Sequence, residues 1–343
     1  MNQLPTNLQK PTFRLRRVRR VAAARVLGPI SLLMSAAAFG QSSVTLNGLL
    51  DLSLGSSKAP GAEHAQTNIS SGNLTTSWYG LKGTEDLGGG LSAIFQLEAF
   101  FRADTGEQSR FTGDAFWSRS SILGFSSTDW GRLTFGRNGT SLFVNSLLFN
   151  AVDGSFGYSP TIRHYYTSGT VTGDSVWNDS VAYTSPTIKG FTFNFSRALS
   201  EADGGGNSGA SATYFNSGLG LGVAWQKAKK GAAVQDSETW QVSASYDAGF
   251  AKLFAQTGKV ENTTINNRFD VHGVGFSVPY GAGRFFVQHG VLLNANGPDR
   301  RTTTGGYDHF LSKRTDVYFS AMRDRVEGLS GGRSLSLGIR HRF

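Results

Sequence analysis

Apolar and polar positions alternate along most of this chain instead of recurring every three or four residues. In "VTLNGLLDLSL", Val44, Leu46, Leu50, Leu52 and Leu54 share one face, while Thr45, Asn47, Asp51 and Ser53 hold most of the other. "LSAIFQLEAFFR" sets Leu91, Ala93, Phe95, Leu97, Ala99 and Phe101 against Ser92, Gln96, Glu98 and Arg102. The same period governs "GFTFNFS", "TWQVSASY" and the closing "SLSLGIRHRF", where Leu335, Leu337, Ile339 and Phe343 oppose Ser334, Ser336, Arg340 and Arg342. A period of two predicts strands with one apolar and one polar face. Past residue 40 nothing approaches the ~18 uninterrupted apolar residues of a membrane helix.

Such strands fit a soluble sandwich or a membrane barrel, so the apolar face must be assigned to a core or to lipid. Three features favour lipid. The wet faces recur from end to end, strands of about ten residues suit a tilted crossing of the hydrocarbon layer, and aromatics such as Tyr79, Phe101, Trp225, Trp240 and Tyr246 lie near strand ends. Strands cross lipid only if they close into a barrel, because an open edge leaves backbone groups unpaired. Closure then pairs the last strand with "VTLNGLLDLSL". Tight connections ("EDLGGG", "TDWG", "SPTIKG", "LSKRT") alternate with long ones, expected over Gly55–Gly72, Thr257–Arg268 and Leu293–Gly305.

Composition agrees. Of 343 residues 44 are Gly, 25 Phe and only 8 Pro, a balance suited to many short strands. The net charge of +9 at first suggests nucleic acid. Its distribution removes that partner: seven of the 33 basic residues and none of the 24 acids fall within residues 1–40, leaving 26 against 24 beyond them, a net of +2. Residues 1–40 read as a secretory leader, with a basic region through Arg25, the apolar run "VLGPISLLMSAAAFG" and small residues for cleavage after Gly40 or, alternatively, Ala38. Without cysteine there is neither a disulfide framework nor a thiolate metal site. The six histidines are scattered and read as ordinary surface or lumen residues; no metal or cofactor is implied.

Several phrases carry a resemblance: "SSVTLNGLLD", "GLKGTEDLGGGLSAIFQLEAFF", "WGRLTFGRN", "SVAYTSPTIKGFTF", "YDAGFAKLFAQ", "LSKRTDVYFSA" and the terminal "GIRHRF". Residues 41–343 resemble, in order and nearly throughout, the general diffusion porins of Gram-negative β-proteobacteria. The resemblance implies an all-β, transmembrane antiparallel β-barrel of about 16 strands, assembled as a homotrimer in outer-membrane lipid and passing small hydrophilic solutes and ions. It further implies a third loop folded into the lumen, here about residues 137–162, and a C-terminal aromatic, Phe343, read by the barrel-assembly machinery.

In that family basic residues of the early strands face the inward loop. Alternation places Arg119 and Lys82 toward the lumen, Arg102 and Glu98 on the same inner face, Arg137 at the hinge of the loop, and Asp153 as the loop's acidic residue. The chain departs from the pattern at "TSWYG", where Trp78 stands in a family Arg position, and at Val176, for which Arg163 is a candidate substitute. An aromatic surface is therefore expected at the constriction, with a weak anion preference. A wide barrel leaves a water-filled channel whose selectivity follows the charges at its narrowest point. A substrate-specific outer-membrane channel is the alternative, since Trp78, Trp117 and Phe100 are expected on inner faces. An enzyme is not expected. "GLSGG" matches G-x-S-x-G but precedes a strand, not a helix, and "GLGLG" lacks the helix a dinucleotide site needs.

Overall fold

The computed structural model describes residues 43–167, 171, 175–199, 206–229 and 235–343, so the expected leader lies outside the described residues. The chain begins with β1 (Ser43–Lys58), β2 (Gln66–Ser71), β3 (Trp78–Gly88), β4 (Leu91–Arg102), β5 (Glu107–Gln108), β6 (Ser120–Ser127) and β7 (Gly131–Gly139). Two helices follow, α1 (Ser141–Leu148) and α2 (Pro160–Tyr166). The chain then continues through β8 (Val176–Thr184), β9 (Phe191–Ala198), β10 (Ser208–Asn216), β11 (Leu219–Ala228), β12 (Ser237–Asp247) and β13 (Lys252–Asn262). It ends with β14 (Asn267–Tyr280), β15 (Gly283–Asn294), β16 (Arg300–Phe310), β17 (Thr315–Val326) and β18 (Gly332–Arg342).

All wall pairings are antiparallel, and the sheet closes where Leu49–Lys58 of β1 pairs with Arg333–Arg342 of β18. On its other side β1 pairs with β3 over Ser43–Leu49 and with β2 over Leu52–Ser57, so β2 and β3 are two halves of one crossing. With those halves counted once and the two-residue β5 set aside, sixteen strands cross the wall among the described residues.

The fold is apolar outside and polar inside. Leu335, Leu337 and Ile339 are 49 %, 65 % and 48 % exposed, whereas the alternate Ser336 and Arg340 are 4 % and 1 %. On β12 the inward Ser237, Thr239, Gln241, Ser243 and Ser245 are buried while Trp240, Val242 and Tyr246 face out. Tyr79 and Phe101 meet edge to face on the outer wall, as do Trp225 and Trp240 at a tilt.

One set of connections is short (89–90, 128–130, 185–190, 217–218, 248–251, 281–282, 311–314), and the other begins 59–65, 103–119 and 140–175. All three of the expected long loops are smaller than anticipated: β1 continues to Lys58 and β2 starts at Gln66, leaving 59–65, β13 continues to Asn262, leaving 263–266, and β15 to Asn294, leaving 295–299. The Gly-, Asn- and Thr-rich sequence there remains paired as strand, since its backbone bonds are satisfied by the neighbouring strand whatever the side chains. The break between β2 and β3 was not anticipated. Inward-facing Asp51 accepts the backbone N–H groups of Leu74 (2.9 Å) and Thr75 (2.6 Å), and Gly72, at φ +74°, turns the chain into the barrel. A carboxylate that takes two backbone donors offers residues 72–77 an alternative to the ladder.

Candidate functional site

The long connection between β7 and β8 lies along the polar face of the wall. Its helices are locally specified: the Thr140 hydroxyl caps α1 by accepting the Phe143 N–H (3.2 Å), and the Ser159 hydroxyl caps α2, with Pro160 opening the helix. Asn145 donates to Gln241 (2.7 Å) and Ser243 (3.3 Å) on β12. Gln256 of β13 donates to the Phe149 carbonyl (3.0 Å) and to the Thr161 hydroxyl (3.1 Å), and Thr304 of β16 to the Tyr158 carbonyl (2.6 Å). The Ser155 hydroxyl reaches the Asn73 carbonyl (2.6 Å) in the broken second crossing.

The wall makes room for this segment by omitting side chains. A Cβ on Gly222 would strike Asn145 and Phe149, one on Gly258 the Tyr165 hydroxyl, one on Gly273 Thr161, and one on Gly290 Pro160. Leu142, Phe149, Ala151, Val152 and Ile162 are fully buried, Phe149 against Gly222 and Ala151 and Val152 in a cluster with Leu74, Phe254 and Phe286, which explains why a long connection is so apolar. The connection starts later than expected, after Gly139, because β7 continues through a bulge at Gly136 and Asn138. It also extends past Ile162, because α2 runs to Tyr166.

Asp153, at φ +47° between the helices, forms ion pairs with Arg284 of β15 and with Arg340 of β18 (3.7 Å). Arg340 is the hub: its guanidinium donates to Asp316 (2.8 Å), Asp308 (2.7 Å) and Thr75 (2.9 Å), and Arg342 donates to Asp316 (2.9 Å). The alternation reading sent Arg340 toward water. It does face inward, but the docked connection and residues 72–77 cover it, and its donors are taken up by carboxylates.

On the early strands Trp78 of β3 pairs with Phe100 of β4, and the Arg119 guanidinium lies 4.3 Å from the Trp78 ring centre while ion-pairing with Glu98. Arg119 gets there by a different route from the one expected. The strand begins at Ser120, so Ser120 and Ile122 take the inner face and Arg119 turns inward from the residue before it. Arg102 pairs with Glu107 (2.7 Å) in the neighbouring connection, and Lys82 is exposed on the inner face opposite Thr45 and Gln96. Arg137, the bulged residue of β7, donates from Nε to the Ser118 carbonyl (2.9 Å) and from Nη1 to Asn178 (2.5 Å), tying both neighbouring strands at the root of the connection. Trp117 is not on an inner wall face; it packs edge-on against Phe116 in the 103–119 connection. Arg163 does not join Arg119: it sits on α2 and pairs with Asp324 of β17 (3.2 Å).

These two regions face a common space. A cavity of about 530 Å³ is lined by Asn47, Thr75, Trp78, Arg119, Asp153, Arg340 and Arg342, together with Gly48, Leu49 and Phe343. Its charged lining is three arginines and one aspartate. Of the expected residues it therefore joins Trp78, Arg119 and Asp153, with Glu98 behind Arg119. Lys82, Arg102 and Arg137 stand outside it.

Buried His164 adds a titratable contact. Its Nε2 lies 3.0 Å from the Thr302 hydroxyl, which itself donates to Asp324 (2.9 Å). The hydroxyl proton is thus committed and the imidazole must donate, which assigns the neutral Nε2–H tautomer. Burial first, then the Arg300 charge, pushes the imidazole down to about 3. In the 103–119 connection burial opposes ionisation of Asp114, but the hydrogen bonds and charge of Arg110 prevail and hold its carboxyl below the usual range.

The family model for Gram-negative porins matches residues 22–329. The chain belongs to the Gram-negative porin family. This porin is 31 % identical to outer membrane porin protein 32 of Delftia acidovorans over 351 aligned positions, covering 90 % of this chain and 96 % of that one. An anion-selective porin from Comamonas acidovorans superposes with a TM-score of 0.77 at 23 % identity, over 88 % of this chain and all of that one. The in-vitro-folded trimer form of OmpT from Vibrio cholerae superposes at 0.68 with 14 % identity, over 88 % and 99 %. The porin is an outer-membrane channel protein and not an enzyme. Its Gly328–Gly332 match to a nucleophile elbow is the turn between β17 and β18, with a strand after it.

Sequence reasoning had missed Arg284, Asp308 and Asp316. Their signal was available: charged residues at inner-face positions near the ends of adjacent strands, where a soluble lumen alone would not call for both signs.

Proposed function

We propose that this porin is a water-filled diffusion channel for small hydrophilic solutes and ions, narrowed by residues 140–167 and weakly selective for anions. The observation that carries this reading is the cavity lined by Trp78 and Arg119 on one side, by Arg340 and Arg342 of β18 on another, and by Asp153 of the docked connection. In a low-dielectric wall such charges focus their field on a permeating ion. Three arginines against one aspartate favour anions. Glu98 behind Arg119, and Asp308 and Asp316 behind Arg340, set three carboxylates against that excess of two; because they are buried they weaken the preference without reversing it. Lys82 adds positive charge on the same inner face, Arg102 and Glu107 cancel nearer the mouth, and Arg137 holds the root of the constricting segment. The anion-selective relative from Comamonas acidovorans supports the sign.

Three further elements complete the reading. The chain is exported through its leader, assembles as a homotrimer as OmpT of Vibrio cholerae does in its trimer form, and is inserted by the barrel-assembly machinery through the strand ending in Phe343. Purified protein in a planar bilayer tests the function. Stepwise conductance with a reversal potential of anionic sign across a potassium chloride gradient is expected, and cation selectivity overturns the proposed sign.

A further inference from the structure

Arginines and aromatic rings alternate from the cavity lining, at Trp78 and Arg119, into the 103–119 connection. Arg119 lies 4.3 Å from the Trp78 ring centre and 5.9 Å from that of Phe100; Arg110 lies 5.4 Å from the Phe100 ring and 5.4 Å from that of Phe111. The ladder therefore runs Trp78, Arg119, Phe100, Arg110, Phe111, from the cavity into the 103–119 connection.

Each arginine is held from behind by a carboxylate. Glu98 pairs with Arg119, and Asp114 accepts from Arg110 Nε (2.8 Å) and Nη2 (3.0 Å). The side chains of Glu98 and Asp114 are only 5 % and 6 % exposed, whereas those of Arg119 and Arg110 are 36 % and 30 %. The acids are thus hidden from a passing solute, while about a third of each arginine side chain is not. Phe111, more than half exposed, completes the outer end.

A guanidinium attracts charge, but unlike an ammonium it also stacks face to face with a π system. A solute that combines a planar ring with a negative charge gains on both counts at each rung. A saturated ring of equal charge gains only the Coulombic part. At the cavity end Arg342, with its guanidinium bonded to Asp316 through Nη1 alone among the contacts described above, stands ready for the carboxylate. We infer that the Trp78–Arg119–Phe100–Arg110–Phe111 ladder is a binding path for aromatic monocarboxylates, which this channel passes in preference to aliphatic carboxylates of similar size.

This inference rests on the channel reading above, and the experiment separates the two. Reconstituted porin is first tested in potassium chloride, and the permeabilities of benzoate and cyclohexanecarboxylate are then compared by reversal potential under bi-ionic conditions. A benzoate preference of roughly two- to tenfold is expected. Trp78→Leu should bring the ratio close to one. Arg119→Lys should lower the ratio while keeping a charge at that rung. If either variant fails to assemble, Phe111→Leu, in an exposed connection, should still reduce the ratio. Equal permeability of the two carboxylates through a conducting wild-type channel overturns the ladder alone, as does a ratio that survives Trp78→Leu and Phe111→Leu. Failure of the wild type to conduct potassium chloride overturns the channel reading and this inference with it.

Discussion

The guanidinium of Arg340 on β18 and the carboxylate of Asp308 on β16 meet at 2.7 Å although β17 lies between their strands. Asp316 of the intervening strand accepts from the same guanidinium, and all three side chains are 1 % exposed. Such a cluster gains its Coulombic energy only after a large desolvation cost, so its net worth is modest, yet removing one partner leaves the others buried and charged. Asp316 keeps Arg342 at 2.9 Å and Asp308 keeps Arg284 at 3.8 Å, which softens the loss. Arg340→Ala should therefore destabilise the barrel by about 3 kcal/mol, near the low end of such losses. Thermal unfolding in detergent, followed by circular dichroism, should show a lower midpoint, and Asp308→Asn in the same chain should recover part of it.

The glycine track on the inner wall yields a second expectation. Valine at Gly258 would collide with Tyr165, and leucine at Gly273 with Thr161, both on α2. The lipid-facing side is unchanged by either substitution, and at Gly273 the new Cβ meets no wall backbone, so that barrel should still assemble, whereas at Gly258 it would also press on the Trp240 carbonyl. Overpacking of about 1–3 kcal/mol should push the helix off the wall. Because the displaced segment enters or leaves the water-filled section, single-channel conductance should move away from the wild-type value and its open-state noise should rise. Gly331→Ala, a site with open space around its Cβ, should leave both unchanged.

Removing the acid between the helices of the docked connection tests the electrostatic account. Asp153→Asn deletes the one acidic side chain in the cavity lining while keeping its shape and hydrogen-bonding capacity. Arg284 and Arg340 would then act less compensated on the permeating ion. Anion-over-cation permeability should rise, by about twofold in low salt and less in high salt, where screening shortens the reach of each charge. An unchanged reversal potential would show that Asp153 does not contribute to selectivity.

Phe343 joins the closing seam. Its N–H donates to the Gly48 carbonyl (3.1 Å), its carbonyl accepts from the Gly48 N–H (3.1 Å), and its ring covers Gly48 so closely that no Cβ would fit there. Deleting Phe343 removes both bonds and the ring at the point where the first and last strands meet. The yield of membrane-inserted porin should drop severalfold, while the conductance of those molecules that do insert should stay near wild type. Normal insertion of the deletion variant would rule out Phe343 as an assembly signal.

Much of this architecture was legible because a period of two is a local property. Leu335, Leu337 and Ile339 could be assigned outward, and Ser336, Lys82 and Glu98 inward, without knowing any neighbour. The apolar character of Leu142, Phe149 and Ile162 likewise marked a connection that had to pack against something. What stayed hidden depended on where a distant segment lands. Nothing near Arg340 states that residues 72–77 and Asp153 will cover it, and nothing near Asp153 states that β15 and β18 supply its partners. Arg119 lines the cavity as expected, but for another reason than alternation, which has meaning only inside a strand, and this residue sits one position outside. The track of Gly222, Gly258, Gly273 and Gly290 was visible as glycines at inner-face positions, but only the docked helices give it a purpose.

The histidine in α2 makes the docking of that helix dependent on pH. The charges that act on His164 are those of Arg300 of β16, Asp324 of β17, Arg163 of its own helix and, least, His289 of β15, and its Nδ1 has no hydrogen-bond partner. Held at about 3 when docked, against an ordinary value near 6.5, it binds its proton less readily than it would in an undocked segment. Docking is therefore fully stable above roughly pH 6.5 and weakens as pH falls from there toward 3, by at most about 1.4 kcal/mol per pH unit. Two arginines outweigh the single aspartate around the ring, so a proton arriving on Nδ1 finds neither an acceptor nor a favourable field. Channels held at pH 4.5 should show more frequent conductance fluctuations than at pH 7.5, and the effect should reverse on return to neutral pH. Glutamine keeps a donor for Thr302 but does not titrate, so His164→Gln should flatten the dependence across that range. Parallel pH profiles in the wild type and the variant would assign the fluctuations to other groups.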